Sequence, residues 1–343
     1  MQKKTSLKDI AARVGVSTAL VSYVLNGRME GRIGKEVAKK IRQTATKLNY
    51  QPNHIARSLK TRRTNTIGLV VADISNPFSS SLARIIEDEA DKLGYTVIFG
   101  SSDETDLKSG KLINALMNRQ VDGLIIFPPA NSEKQIRQLI KQGTPFVLVD
   151  RYFPGIDCNS VGIDNHKASF EAVTHLLDQG RKRIGMISYN STLHHLDDRI
   201  EGYKSALKAG NIEPTAELIR KVDIGNNTVE IGKAVQSLLD LKKPVDAILF
   251  GSNRIAAAGL KYIHSKKIHV PEKVSLVGFD ETEIFDFFYS PLTYIRQPLT
   301  EIGQQATRML LEGITNPKTP VRIFLPAQLV IRESSMPVKK KGN

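Results

Sequence analysis

The chain has 343 residues, a net charge of +14 and a single cysteine, Cys158. That length suits two or three domains with cores of their own, and one cysteine excludes an internal disulfide and suits a reducing compartment. Apolar runs reach only five or six residues, against roughly 20 for a bilayer-spanning helix, and the basic opening Met1–Asp9 has no apolar stretch behind it, which argues against a secretory signal. Residues 1–63 hold fifteen of the 49 Lys/Arg and three of the 35 Asp/Glu, so they carry +12 of the net charge. A basic module joined to a nearly neutral one points to a polyanionic partner, usually nucleic acid.

The first predicted helix opens at Ser6, which can cap it, with Asp9 in its first turn. Leu7, Ile10, Ala11 and Val14 share one face, and Gly15 ends it. Ser17 caps a second helix with Leu20, Val21, Val24 and Leu25 inward, and Asn26-Gly27 stops it. A third runs from about Gly34 to Asn49, with Val37, Ile41, Ala45 and Leu48 on one face. Two short helices around a Gly turn, braced by a third, make a helix-turn-helix. The outward residues of its second helix, Thr18, Ala19, Ser22 and Tyr23, are placed to read base edges, with Asn26 near the backbone. Pro52 ends the bundle, and Asn53 can cap a two-turn segment, Asn53–Lys60, too short to be stable alone.

The run LKDIAARVGVSTALVSYVLNG (Leu7–Gly27) and the run NYQPNHIARSLKTRRTNTIGLVV (Asn49–Val71) resemble the LacI/GalR family of bacterial transcription regulators, and weaker motifs extend the resemblance over essentially the whole chain. The resemblance implies that two copies of the hinge segment, including Asn53, Ala56, Arg57, Leu59 and Lys60, enter the minor groove. Leu59 stands where the family carries an apolar wedge that unstacks a base step. Arg57, Lys60, Arg62 and Arg63 then hold phosphates. Tyr23 departs from the Arg or His common in the family and cannot make a bidentate contact to guanine.

From Thr66 onward, apolar strands alternate with amphipathic helices in two successive blocks. Strands are expected at Ile67–Val71, Thr96–Phe99, Gly123–Phe127, Phe146–Val149, a short segment before Asp164, Ile184–Ile187, Ala247–Phe250 and Val274–Phe279. The last part, Leu292–Ile331, reads as a return to the first block and then the second, with strands Thr293–Arg296 and Val321–Leu325 around a helix from Leu299. The expected fold is therefore an N-terminal all-α helix-turn-helix domain (1–50), a hinge helix and linker (51–64), and a two-subdomain α/β core resembling periplasmic binding proteins, with parallel doubly wound sheets (65–337). Its first subdomain takes about 65–162 and 293–325, its second about 163–292 and 326–337; residues 338–343 read as a disordered basic tail.

Ligands of such sheets bind at the carboxyl ends of the strands, where Asp73, Asn76, Asp103, Glu104, Asp150, Arg151, Asn165, Tyr189, Ser252, Asn253 and Asp280 gather. Carboxylates, amides and Arg together read hydroxyl groups, and Phe78, Phe127, Tyr152 or Tyr189 can supply an apolar platform. By resemblance, Arg199, Asp280, Asn253 and Asp150 match effector-binding positions of the family. The effector-contact set is thus Asp73, Asn76, Phe78, Asp150, Tyr189, Arg199, Asn253 and Asp280. Arg254 stands where the family has Asp; it offers either a site for an acidic effector or a salt bridge to Asp280 or Glu281.

No phosphate loop, H-E-x-x-H or nucleophile elbow is present. His194 and His195 are adjacent and make a poor metal pair, and Cys158 reads as a surface thiol in a polar loop. No enzyme activity, cofactor or metal is expected. The expected protein is a cytoplasmic, nucleoid-associated, homodimeric regulator, a repressor by family default, whose affinity for double-stranded operator DNA is set by a sugar-like effector. A purine or phosphorylated metabolite as effector, or a solute-binding protein with a basic extension, are the alternatives.

Overall fold

A computed structural model describes residues 5–27, 32–50, 63–225 and 228–336. The expected hinge helix, with Asn53, Ala56, Arg57, Leu59 and Lys60, and the tail 338–343 lie outside the described residues. The chain divides into two units, Met1–Thr64 and Asn65–Asn343.

The first unit contains α1 (Leu7–Val14), α2 (Thr18–Leu25) and α3 (Lys35–Lys47). Ser6 and Asp9 form a reciprocal capping box on α1, satisfying two N–H groups that the first turn leaves unpaired. Gly15 then adopts a left-handed φ of 76°, which a residue without Cβ takes without strain. Ile10, Ala11, Val21, Val24, Ile41 and Ala45 make the core. Val37 is not part of it; it is 36% exposed, and Ala38 packs inward instead. The stripe on α3 runs 38, 41, 45, 48, which leaves Val37 at its edge.

The second unit begins with β1 (Thr66–Val71), α4 (Pro77–Lys92), β2 (Thr96–Ser101), α5 (Asp106–Asn118), β3 (Gly123–Ile126), α6 (Glu133–Lys141), β4 (Phe146–Val149) and β5 (Ser160–Ile163). It continues with α7 (Asn165–Asp178), β6 (Ile184–Tyr189), α8 (His194–Ala209), β7 (Ile219–Val222), α9 (Thr228–Leu239), β8 (Ala247–Phe250), α10 (Asn253–Ser265), β9 (Ser275–Phe279) and α11 (Ile284–Phe287). It closes with β10 (Thr293–Arg296), α12 (Leu299–Thr315), β11 (Arg322–Leu325) and β12 (Gln328–Val330).

Among the described residues these strands form two six-stranded sheets, ordered β11-β5-β4-β3-β1-β2 and β12-β10-β9-β8-β6-β7. All pairings are parallel except β10 with β12. Strands β3, β4, β8 and β9 are buried along their whole length, as parallel strands covered on both faces must be. Both sheets wind the same way, and the order reverses between β1 and β3 and again between β6 and β8. Those switch points are where open α/β sheets bind ligands.

Two expectations change. Strand β10 pairs with β9 and so belongs to the second sheet, not to the returning first subdomain; the chain recrosses after Arg296 rather than before Thr293. Cys158 is buried, 6% exposed, among Phe146, Phe153 and Ile156, and burial pushes its thiol up to about 11. A polar loop sequence does not reveal that one of its residues turns inward.

Candidate functional site

In the helical unit, the Ser17 hydroxyl accepts from the Leu20 N–H at 3.2 Å and fixes the start of α2. Val21 and Val24 point into the core, which turns Thr18, Ala19 and Tyr23 outward. Ser22 is half-buried, and Asn26, also exposed, donates through Nδ2 to the Ser22 carbonyl at 2.7 Å. These five residues lie on one face of a short helix held by the two others. A major groove admits such a helix.

In the second unit, the eight expected effector residues all line one cavity, formed where the two lobes meet. Asp73 follows β1, and Asn76 caps α4 by accepting from the Phe78 N–H at 3.1 Å. Asp150 and Asp280 end β4 and β9 in matching ways. Each takes a left-handed φ, 68° and 66°. Each donates its N–H to the neighbouring strand at 2.9 Å, Asp150 to Val161 and Asp280 to Ile295. This turn aims both carboxylates into the cavity instead of along the sheet.

Arg199 lies between them on α8. Its Nε donates to Asn165 Oδ1 at 2.8 Å, its Nη1 donates to the Gly251 carbonyl at 2.7 Å, and its guanidinium sits 3.9 Å from the centroid of the Phe279 ring. The helix itself approaches α7 so closely that a Cβ on Gly202 would stand 2.1 Å from the His166 carbonyl oxygen. Burial pushes the Asp150 carboxyl up to about 6 against the pull of Arg151 and Arg199. Burial likewise raises Asp280, against Arg199 and the hydrogen bond from Gln297.

Further lining residues came from outside the expected set. His195 precedes Arg199 by four residues and therefore shares its helix face. Gln297 follows β10 and donates through Nε2 to Asp280 Oδ1 at 2.7 Å. The strand-end rule covers Gln297 once β10 is placed in the second sheet, and the i, i+4 spacing covers His195. His195 Nδ1 and Gln297 Oε1 are buried and have no hydrogen-bond partner, an arrangement that folded proteins rarely leave unanswered. Burial, reinforced by Arg199 and Arg151 nearby, holds the His195 imidazole neutral. Arg151 grips both oxygens of Glu104 at 2.6 Å on the cavity wall.

Other candidates point elsewhere. The Tyr152 hydroxyl donates to Asp198 at 2.9 Å and does not line the cavity. Glu281 accepts from Arg296 at 2.7 Å and from Tyr294 at 2.6 Å, and Asp103 pairs with Lys108. Asp280 and Glu281 are not the partners of Arg254. Arg254 reaches across the cleft to Asp73 Oδ2 at 2.6 Å and Ser75 Oγ at 2.6 Å.

Known proteins share both units. The family described as bacterial regulatory proteins, lacI family, matches residues 6–53, and a periplasmic binding protein-like domain matches residues 173–335. The ribose operon repressor of Halalkalibacterium halodurans is 33% identical over 332 residues, covering 96% of this chain and 97% of the relative. Catabolite control protein A of Priestia megaterium is 31% identical, covering 96% and 99%. The fold of the lac repressor dimer bound to operator superposes with a TM-score of 0.86 at 23% identity, covering 97% of this chain and 100% of that one. Family profile, full-length relatives and fold agree: the chain belongs to the LacI family of bacterial transcription regulators.

Proposed function

We propose that this protein is a repressor whose affinity for a near-palindromic operator is set by a small, neutral, polyhydroxylated effector bound between the two lobes. The convergence of eight strand-end and helix residues on one cavity that also holds two unpartnered buried polar atoms carries this reading. Thr18, Ala19, Ser22, Tyr23 and Asn26 are its DNA-facing residues, joined by Asn53, Ala56, Arg57, Leu59 and Lys60 of the hinge. Asp73, Asn76, Phe78, Asp150, Tyr189, Arg199, Asn253 and Asp280 hold the effector, with His195 and Gln297 added to them.

The charge balance argues for neutrality. Among the described residues four carboxylates (Asp73, Glu104, Asp150, Asp280) and three guanidinium groups (Arg151, Arg199, Arg254) line the cavity. Arg254 is paired with Asp73 and Arg151 with Glu104, while Arg199 lies beside Asp150 and Asp280. A phosphorylated effector would meet no surplus positive charge. Hydroxyl groups, which both donate and accept, suit His195 Nδ1, Gln297 Oε1 and the two buried carboxylates. A full-length relative named for a ribose operon supports a carbohydrate.

The protein acts in the bacterial cytoplasm as a homodimer and is not an enzyme. A second copy supplies the second half-site reader that a palindrome requires. Apolar side chains exposed on the second lobe, Phe287 at 84% and Tyr289 at 55%, supply a face for it. Effector binding re-angles the lobes and so changes the affinity for the operator.

Calorimetric titration of the full-length protein with neutral pentoses and hexoses, and with their phosphates, tests this reading. A neutral sugar binds, and Gln297→Ala weakens it about 10-fold, the loss of one hydrogen bond to a buried group. Binding of the phosphates alone would replace the neutral-effector reading.

A further inference from the structure

The contact between Arg254 and Asp73 does more than line the effector cavity, since it joins one lobe to the other and spends both charges on each other. Arg254 occupies the second position of α10. A cation there faces the positive end of the helix dipole, where a carboxylate is favoured instead. The compensating carboxylate comes from the other lobe. Asp73 Oδ2 accepts from Arg254 at 2.6 Å, while its Oδ1 accepts from the N–H and hydroxyl of Ser75 at 2.9 and 2.8 Å. Burial raises the Asp73 carboxyl, but the Ser75 hydrogen bonds and Arg254 outweigh it and bring it below its ordinary value.

A second bond runs beside the first. Asn253 Nδ2 donates at 2.8 Å to Asn76 Oδ1, the same oxygen that caps α4. The N-termini of α4 and α10, two like dipole ends, therefore face each other across the cleft with acceptor oxygens of the first lobe between them. The cavity behind has a volume of about 70 Å³, well below the roughly 300–1,000 Å³ of small-molecule sites.

We infer that Arg254 and Asp73, with Asn253 and Asn76 beside them, form a latch that holds the lobes closed before any effector arrives. The effector enters only when the latch opens, so the pair sets how much of its binding free energy goes into separating the lobes. This device stands independently of what the effector is.

The test needs no effector. Nitroxide labels are placed on cysteines introduced at the exposed positions Lys111 of α5 and Lys233 of α9 in the full-length protein; Cys158 is buried. Pulsed electron resonance then reads the distance between the lobes. With the labelled protein diluted into excess unlabelled copies, so that one copy per dimer carries spins, the parent gives a single narrow distance. Arg254→Met and Asp73→Asn each broaden and shift it, and the exchanged pair Asp73→Arg with Arg254→Asp moves it back toward the parent value. Unchanged distributions in both single variants, each folded by circular dichroism, would overturn the latch. An exchanged pair as broad as the single variants would also overturn it, by removing the ion pair as its cause.

Discussion

At the scale of single residues, two aspartates set the character of the cleft. Asp150 and Asp280 are 8% and 7% exposed and sit on the same left-handed turn at the ends of equivalent strands. Burial raises Asp150 to about 6, so its ionisation opposes folding. The direction follows from linkage: the protonated form's contribution is complete below the unfolded carboxylate value near 4 and is lost as pH rises through 6. That gap corresponds to roughly 3 kcal/mol. Asp150→Asn removes the titration, so urea unfolding should find the variant more stable than the parent at pH 7.5 by up to this amount, the difference shrinking toward zero at about pH 3. A difference independent of pH would refute the burial cause. These aspartates, with Arg199 and Asn253, were readable in the sequence because strand ends and family motifs coincide there. Val37 and Cys158 were not, because their placement depends on helix rotation and loop packing, which local composition does not encode; His195 was missed although its four-residue spacing from Arg199 puts it on the same helix face. Arg254 was readable as an anomaly, but its partner, 181 positions earlier in the chain, was not.

At the scale of elements, helix packing decides where the site residues point. Gly202 lets α8 lie against α7, and α8 carries both His195 and Arg199. Gly202→Ala would put a Cβ 2.1 Å from backbone oxygen, so the helices must separate. The expected loss is about 2–3 kcal/mol of stability, seen as a lower melting temperature of the core and weaker effector binding; an unchanged melting temperature would mean that α8 has room to move. In the helical unit, Ser17→Ala removes the cap on α2 and should lower the stability of that unit by about 1 kcal/mol, read in the full-length protein as loss of helical signal at a lower temperature. The central strands were legible because each is a continuous apolar run: β3, β4, β8 and β9, buried along their whole length, fall within a residue or two of expectation. The short edge strand β7, with Arg220 and Lys221, the four-residue α11 and the three-residue β12 were missed, since such segments expose charge or lack the length to show a period.

At the scale of the whole molecule, the architecture separates DNA reading from effector sensing while one chain crosses between the lobes three times. Those crossings allow the lobes to rotate as bodies without unfolding either. The duplicated winding of the two sheets was legible as two strand–helix blocks. The assignment of β10 was not, because nothing local says which sheet a four-residue apolar strand will join. If the exposed apolar face of the second lobe joins two copies, Phe287→Glu should shift the mass measured by light scattering from dimer toward monomer; an unchanged mass would place the dimer contact elsewhere. In this reading, occupancy of the cleft controls operator affinity. The most direct measurement is selection from randomised DNA duplexes by the full-length protein, with and without a mixture of neutral sugars. The predicted result is a near-palindromic site whose retention changes 5–150-fold when the sugars are present, the range of ordinary coupling between two sites. An enriched palindrome held equally under both conditions would contradict control by a neutral effector, and no enrichment under either would contradict sequence-specific repression itself.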